Sequence, residues 1–180
     1  MDKRMARGTA ASQGAAHEGG RAPEPAATDV GVRLAHERDL PGLAELRWRW
    51  ALEQHERSEL PPLEEFTAAT ADWSHRHSDS HIPFVAVLRD EPVGMAWLAI
   101  LPRVLAPLNP DRASGDIQSC FVVPQLRGNG IGHRLVTEVI EYAHRRGLDY
   151  ITAHSSEGAV RMYERAGFKQ YSALLGRSTV

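Results

Sequence analysis

The chain has 180 residues, room for one domain and a tail, and 42% of them are hydrophobic, enough for a core of ordinary size. A formal net charge of −2 with 24% charged residues argues against a nucleic-acid surface. One cysteine, Cys120, excludes an internal disulfide and suits a reducing compartment, and no apolar run approaches the ~20 residues that cross a bilayer.

Lys3, Arg4 and Arg7 are not followed by an apolar stretch, so a secretory signal is not expected. The expectation is a cytoplasmic protein with neither nucleic-acid nor membrane partners. Residues 1–28 are mostly Ala, Gly, Ser, Pro and charge, too little apolar surface to offset their ordering entropy. They are read as a flexible N-terminal tail, and residues 29–180 as one domain.

Val30, Val32 and Leu34 alternate with polar or small neighbours, a short strand. A helix follows, with Asp39 as expected N-cap, Pro41 in its first turn, and Leu43, Leu46 and Trp50 on one side. Pro61 and Pro62 precede a second helix from Leu63 to about His75, with Phe66, Ala69 and Trp73 at helical spacing. Phe84 to Arg89 and Val93 to Leu101 read as an antiparallel hairpin turned at Asp90, Glu91 and Pro92. Pro102 to Gly115 reads as a long loop and Asp116 to Val123 as a further core strand.

A glycine-rich turn then leads into a helix to Arg146, with Ile131, Leu135, Val139 and Ala143 on one face and Gly147 as its stop. A strand at Tyr150 to Ala153, a short helix at Gly158 to Ala166 and a last strand at Phe168 to Leu174 complete the order β-α-α-β-β-β-α-β-α-β. That order describes an α/β fold on a mixed sheet.

The informative stretch is Gln125-Leu126-Arg127-Gly128-Asn129-Gly130-Ile131-Gly132, which joins a strand to the start of an amphipathic helix. Glycines let backbone approach a ligand, and the first helical turn offers unpaired N–H groups and the positive end of a dipole. Together they suit a phosphate or pyrophosphate, and Arg127 can add a charge-assisted contact. The G-x-G-x-G spacing is not the Rossmann G-x-G-x-x-G, and the Gly-Lys-Ser/Thr ending of a Walker A loop is absent.

Gln125 to Gly130 resembles the Q/R-x-x-G-x-G/A signature of the GNAT superfamily of N-acyltransferases. Phe121 to Pro124 looks like the end of that family's fourth strand, and Arg161-Met162-Tyr163-Glu164-Arg165-Ala166-Gly167-Phe168 like its Y-E-x-x-G-F element. The resemblance implies a GNAT-type α/β fold, with a mostly antiparallel central sheet splayed between strands 4 and 5 and flanked by helices. It implies an acyl-CoA-dependent N-acyltransferase with acetyl-CoA as cosubstrate, no metal, an amine of a small molecule or peptide as acceptor, and a homodimer as a common assembly.

By that resemblance, backbone amides of Arg127, Gly128, Asn129, Gly130, Ile131 and Gly132 hold the CoA pyrophosphate. Phe121, Val122 and Val123 pair with the pantetheine arm, and a backbone N–H near Val122 polarises the thioester carbonyl. Tyr163 matches the usual general acid for the departing thiolate, with core packing as the competing role. Where the family often has an Asn for the pantetheine amide, this chain has Ser155, whose hydroxyl either replaces it or serves local capping.

Transfer to an amine also needs a proton acceptor, because only about one lysine-like amine in a few thousand is neutral at pH 7. Asp116 is the first candidate, with Glu157 and His154 behind it. A strict period of two puts Asp116, Gln118, Cys120 and Val122 on one face. Cys120 lies mid-strand and reads as a buried structural thiol, not a nucleophile. On the acceptor side, Arg47-Trp48-Arg49-Trp50 suggests one tryptophan in the core and one at the pocket, with Trp73, Trp97 and the Pro102 to Asp111 loop as further wall residues. His75, His77 and His81 read as a solvated loop cluster rather than a metal site. The competing reading is a catalytically weak CoA-binding sensor or scaffold on the same fold.

Overall fold

The computed structural model describes residues 29–171. Nine regular elements follow in order: β1 (Gly31–Leu34), α1 (Leu40–Leu52), α2 (Leu63–Arg76), β2 (His81–Leu88), β3 (Glu91–Pro102), β4 (Ala113–Val122), α3 (Ile131–Arg145), β5 (Ile151–Ala153) and α4 (Val160–Arg165). The expected tail falls outside the described residues. The expected last strand is absent over Phe168–Tyr171, which carries no strand pairing, and its remainder falls outside them.

The strands lie side by side in chain order, β1 to β5. The first four are antiparallel neighbours: a two-residue turn reverses the chain between β2 and β3, a longer loop does so between β3 and β4, and α1 and α2 lie between β1 and β2. β5 is parallel to β4, since α3 carries the chain back along the sheet first. This is the mixed, helix-flanked sheet expected from the sequence. α1 packs on one side of β3 and β4, with α2 against α1, and α3 packs on the other.

The core follows the predicted faces most closely in α3. Ile131, Leu135, Val139 and Ala143 are all buried, together with Val136. Fully burying such an aliphatic side chain contributes about 1.5–3 kcal/mol, so this stripe fixes α3 against the sheet. Gly94 of β3 lets it come close: a Cβ there would lie 3.2 Å from a Leu135 methyl.

α2 departs from its predicted face. Ala69 is exposed and Ser74 is buried instead, because the helix lies on α1 and leaves its outer side to water. Asp39 also departs from its expected role. Its side chain makes no cap bond to α1. It accepts instead from the His36 backbone N–H at 2.7 Å and from both Arg33 guanidinium nitrogens at 2.6 and 3.0 Å. The Asp39 carboxylate thus ties β1 to the turn before α1.

The Arg33 guanidinium holds the Asp39 carboxyl below its ordinary pKa. A depressed folded pKa means the contribution is complete above the unfolded value, ~3.9, and fades as pH falls through the folded one. Asp39→Asn is expected to lose about 1.5–3 kcal/mol at pH 7 and clearly less near about pH 2, because the contribution shrinks as pH falls below the unfolded pKa. Denaturant titrations of both proteins at the two pH values measure this; an equal loss at both would exclude the ion pair as the cause.

Candidate functional site

The site is built around the far end of β4. β4 pairs with β5 only over Gly115–Ile117, opposite Ile151–Ala153. Beyond Ile117, β4 runs on to Val122 while the chain leaves β5 at Ala153, so one edge of β4 is open. This is the splay expected between strands 4 and 5.

The open edge has a defined polarity. The Val123 N–H donates to the Val93 carbonyl at 3.0 Å, and Val122 lies opposite Gly94. Antiparallel pairs alternate, so the peptide groups of Val122 point away from β3 and into the opening. The Val122 carbonyl there accepts from Arg127 Nε at 2.9 Å.

β4 does not keep a period of two. Met95 lies opposite Phe121 and Trp97 opposite Gln118, so two residues of β4, Ser119 and Cys120, face one of β3. This is a β-bulge, and Ser119 takes φ 53°, a left-handed conformation unusual for serine. Paired residues project to the same face, so Asp116, Gln118 and Phe121 share one face. Cys120 and Val122 go to the other, which corrects the single-face expectation.

On the first face, the Asp116 carboxylate accepts from the Thr152 hydroxyl at 2.8 Å and from Gln118 Nε2 at 3.2 Å. Its position is therefore set from both β4 and β5. Phe121 stacks on Trp50 of α1 with ring centres 6.3 Å apart. Trp48 is the core tryptophan, its indole N–H donating to the Pro61 carbonyl at 3.0 Å. Trp97 is buried and meets Trp73 edge-on.

His77 stacks on Trp73, and His81 meets both rings edge-on. These two histidines belong to an aromatic cluster rather than to a solvated loop. Burial lowers the His81 pKa, and the neighbouring His77 lowers it further. Among the described residues no group of His, Cys, Asp and Glu is arranged to hold a metal. The loop after β3 lies at the other end of β4 from the glycine turn. Its Arg112 and Asn109 side chains donate to Asp149, while Val104 and Leu108 stand out in solvent.

On the second face, Tyr163 of α4 is 7% exposed and packs edge-on against Phe168. Its hydroxyl and the Cys120 thiol lie within hydrogen-bonding reach of each other. Burial pushes the Cys120 thiol up to about 11, against a smaller opposing effect of that hydrogen bond. Burial, then Cys120, raise the Tyr163 hydroxyl well above the ordinary phenol value. Both groups are protonated at neutral pH, so a thiolate nucleophile is not available.

The glycine turn sits on this second side. Gly128 and Gly130 take φ of 83° and 79°, and a Cβ on either would have no atom within 4 Å. Gly132 begins α3 against Val122 and Met162. Among the described residues, the N–H groups of Gly128, Asn129, Gly130, Ile131 and Gly132 find no acceptor. They line an open loop and the first turn of a fifteen-residue helix.

Arg127 behaves differently from its neighbours. Its N–H donates to the Pro124 carbonyl at 3.2 Å, inside a tight turn. Its guanidinium lies over Phe121, bonds Val122, and pairs with Glu53 at 2.6 Å. The side chain thus clasps the end of α1 rather than reaching over the glycines. Ser155 turns its hydroxyl to the Ser156 carbonyl at 2.8 Å, a local bond. Glu157 and His154 are exposed beyond β5.

Two contributors escape the sequence reading: Glu53 and Thr152. Each holds a predicted residue through a contact between elements distant in sequence, and no motif marks such a contact.

The model of the Acetyltransferase (GNAT) family matches residues 40–168. An uncharacterized N-acetyltransferase of Methanocaldococcus jannaschii is 30% identical over 101 residues, 52% of this chain; the chain spans 41% of that protein's length. The glucosamine 6-phosphate N-acetyltransferase of Trypanosoma brucei brucei is 29% identical over 144 residues, covering 79% of this chain and 91% of that protein. A crystal structure of a predicted acetyltransferase with acetyl-CoA from Clostridium acetobutylicum shares the fold, with a TM-score of 0.66 at 18% identity over 83% of this chain and 96% of that one.

Proposed function

This chain belongs to the acetyltransferase (GNAT) family, and from that premise we propose that it moves the acetyl group of acetyl-CoA directly onto an amine of a small molecule or peptide. The observation that carries the proposal is the row of unpaired N–H groups from Gly128 to Gly132 beside the open edge of β4. Such a row fits a diphosphate, because it supplies donors and a helix dipole without any side chain in the way. When bound, acetyl-CoA supplies an activated thioester.

The roles of the chain's own residues follow from the two faces of β4. The Val122 N–H points into the opening, where it can donate to a carbonyl oxygen. Phe121 and Val123 bracket it. The Asp116 carboxylate, on the α1 side, takes a proton from the acceptor ammonium, directly or through water. Tyr163, on the α3 and α4 side, keeps its proton at neutral pH and donates it to a departing thiolate. The protonated Cys120 supports direct attack over a two-step route through an acyl-cysteine.

Two measurements test this reading. Acetyl-CoA is expected to raise the melting temperature, with about 2.7 kcal/mol of stabilisation at a hundredfold excess over Kd, and ATP or NAD is not. A thiol-release assay over a panel of primary amines is expected to show turnover with at least one. Stabilisation without turnover on any amine supports the sensor or scaffold reading, and no stabilisation at all removes CoA from the site.

A further inference from the structure

Arg47 is not explained by the chemistry above. It lies on α1, with its guanidinium 4.4 Å from the centre of the Trp50 ring. Trp50 in turn stacks on Phe121, and Arg127 covers the other aromatic end at 5.2 Å. Arg47, Trp50, Phe121 and Arg127 therefore form one column from α1 to the end of β4. The register places Phe121 on the face that carries Gln118 and Asp116, so the column stands on the proposed acceptor side.

The two cations of the column differ. Arg127 is paired with Glu53. Arg47 has no carboxylate partner among the described residues, whereas Arg33, Arg49 and Arg112 have Asp39, Glu45 and Asp149. The Arg47 side chain is exposed to solvent, yet the protein around it disfavours its charge and pulls its pKa down. A cation held in that position by an aromatic ring, with its hydrogen-bonding fork unpaired, is disposed to take an anion.

Resting on the acetyl-transfer reading, we propose that the acceptor amine carries an anionic group, a carboxylate or a phosphate, and that Arg47 grips it on the α1 side of the sheet while Asp116 serves the amine. Planar Arg donors match either oxyanion two at a time, and a lysine in the same place offers only a point charge. Glu53 is committed to Arg127 and does not compete for Arg47.

The test compares acceptors in pairs: glucosamine 6-phosphate with glucosamine, and a panel of free amino acids with their amides. Wild type is expected to favour at least one charged member by about 10- to 100-fold in kcat/KM. Arg47→Met keeps the stem over Trp50 and is expected to bring that ratio close to one, mainly through KM. Arg47→Lys is expected to recover part of it. Preference for the phosphate pair or for the carboxylate pair identifies which oxyanion is read. A wild-type ratio near one in every pair, or an unchanged ratio in Arg47→Met, overturns the proposal. If no amine releases thiol, the acetyl-transfer reading fails separately. Arg47 is then judged by thermal shift with glucosamine 6-phosphate and the amino acids. A shift in wild type that Arg47→Met loses supports the anion site, and no shift or an equal one overturns it.

Discussion

Tyr163→Phe is expected to lower kcat about 10²- to 10³-fold while changing KM for acetyl-CoA by less than about twofold. The substitution keeps the ring that packs on Phe168 and removes only the hydroxyl beside Cys120. Burial raises the hydroxyl's pKa first, so it stays protonated across the working range. The sign matters for the pH profile. A proton donor with a raised pKa gives no alkaline fall in rate below that pKa, so the basic limb of wild type is expected to stay flat to about pH 9. Steady-state kinetics of both proteins, with denaturant curves as a folding control, measure the effect. An unchanged kcat would make Tyr163 a core residue and leave proton delivery to water.

The second large effect is expected at the glycine turn. Gly130→Val is expected to weaken acetyl-CoA binding by about 10- to 100-fold. Its backbone sits at φ 79°, where a Cβ costs about 1–2 kcal/mol and a branched one fits worst. Nothing lies within 4 Å of that Cβ, so the loss does not come from a clash inside the protein. It comes from a side chain in the space where the ligand would lie and from a shifted row of N–H groups. Gly147→Val supplies the comparison. It has φ 68° and equally open surroundings, but sits at the other end of α3. Similar melting temperatures for the two variants, with acetyl-CoA affinity lost only in Gly130→Val, are expected by calorimetry. Equal affinity loss in both would mean that strain in α3, not the turn, sets binding.

Much of this was legible in the sequence because its causes are local. Ile131, Leu135, Val139 and Ala143 repeat at a helical period, and the glycine turn announces itself by composition. The hairpin of β2 and β3 is equally plain, since Asp90, Glu91 and Pro92 interrupt two apolar runs. What escaped has its causes across space. Asp39 is a sound N-cap by type, but Arg33 and the His36 amide take its oxygens first. Arg127 looks like a phosphate contact until Glu53, far away in sequence, takes its guanidinium. The bulge at Ser119 has no marker, because serine is an ordinary strand residue and only pairing with β3 shows that one position is extra. His77 and His81 are polar by type, and only the fold brings both rings onto Trp73 at the end of α2, which Trp97 of β3 backs.

That single extra position turns β4 over like a ribbon given a half twist. Upstream of Ser119 the strand shows its carboxylate to α1; downstream it shows Cys120 to the tyrosine of α4. Under the proposed chemistry, amine and thiol therefore occupy separate doorways and meet only at the bare rim of the strand between them. The acetylated amine can back out the way it came while the spent CoA leaves by its own side, and neither has to wait for the other to clear a shared passage.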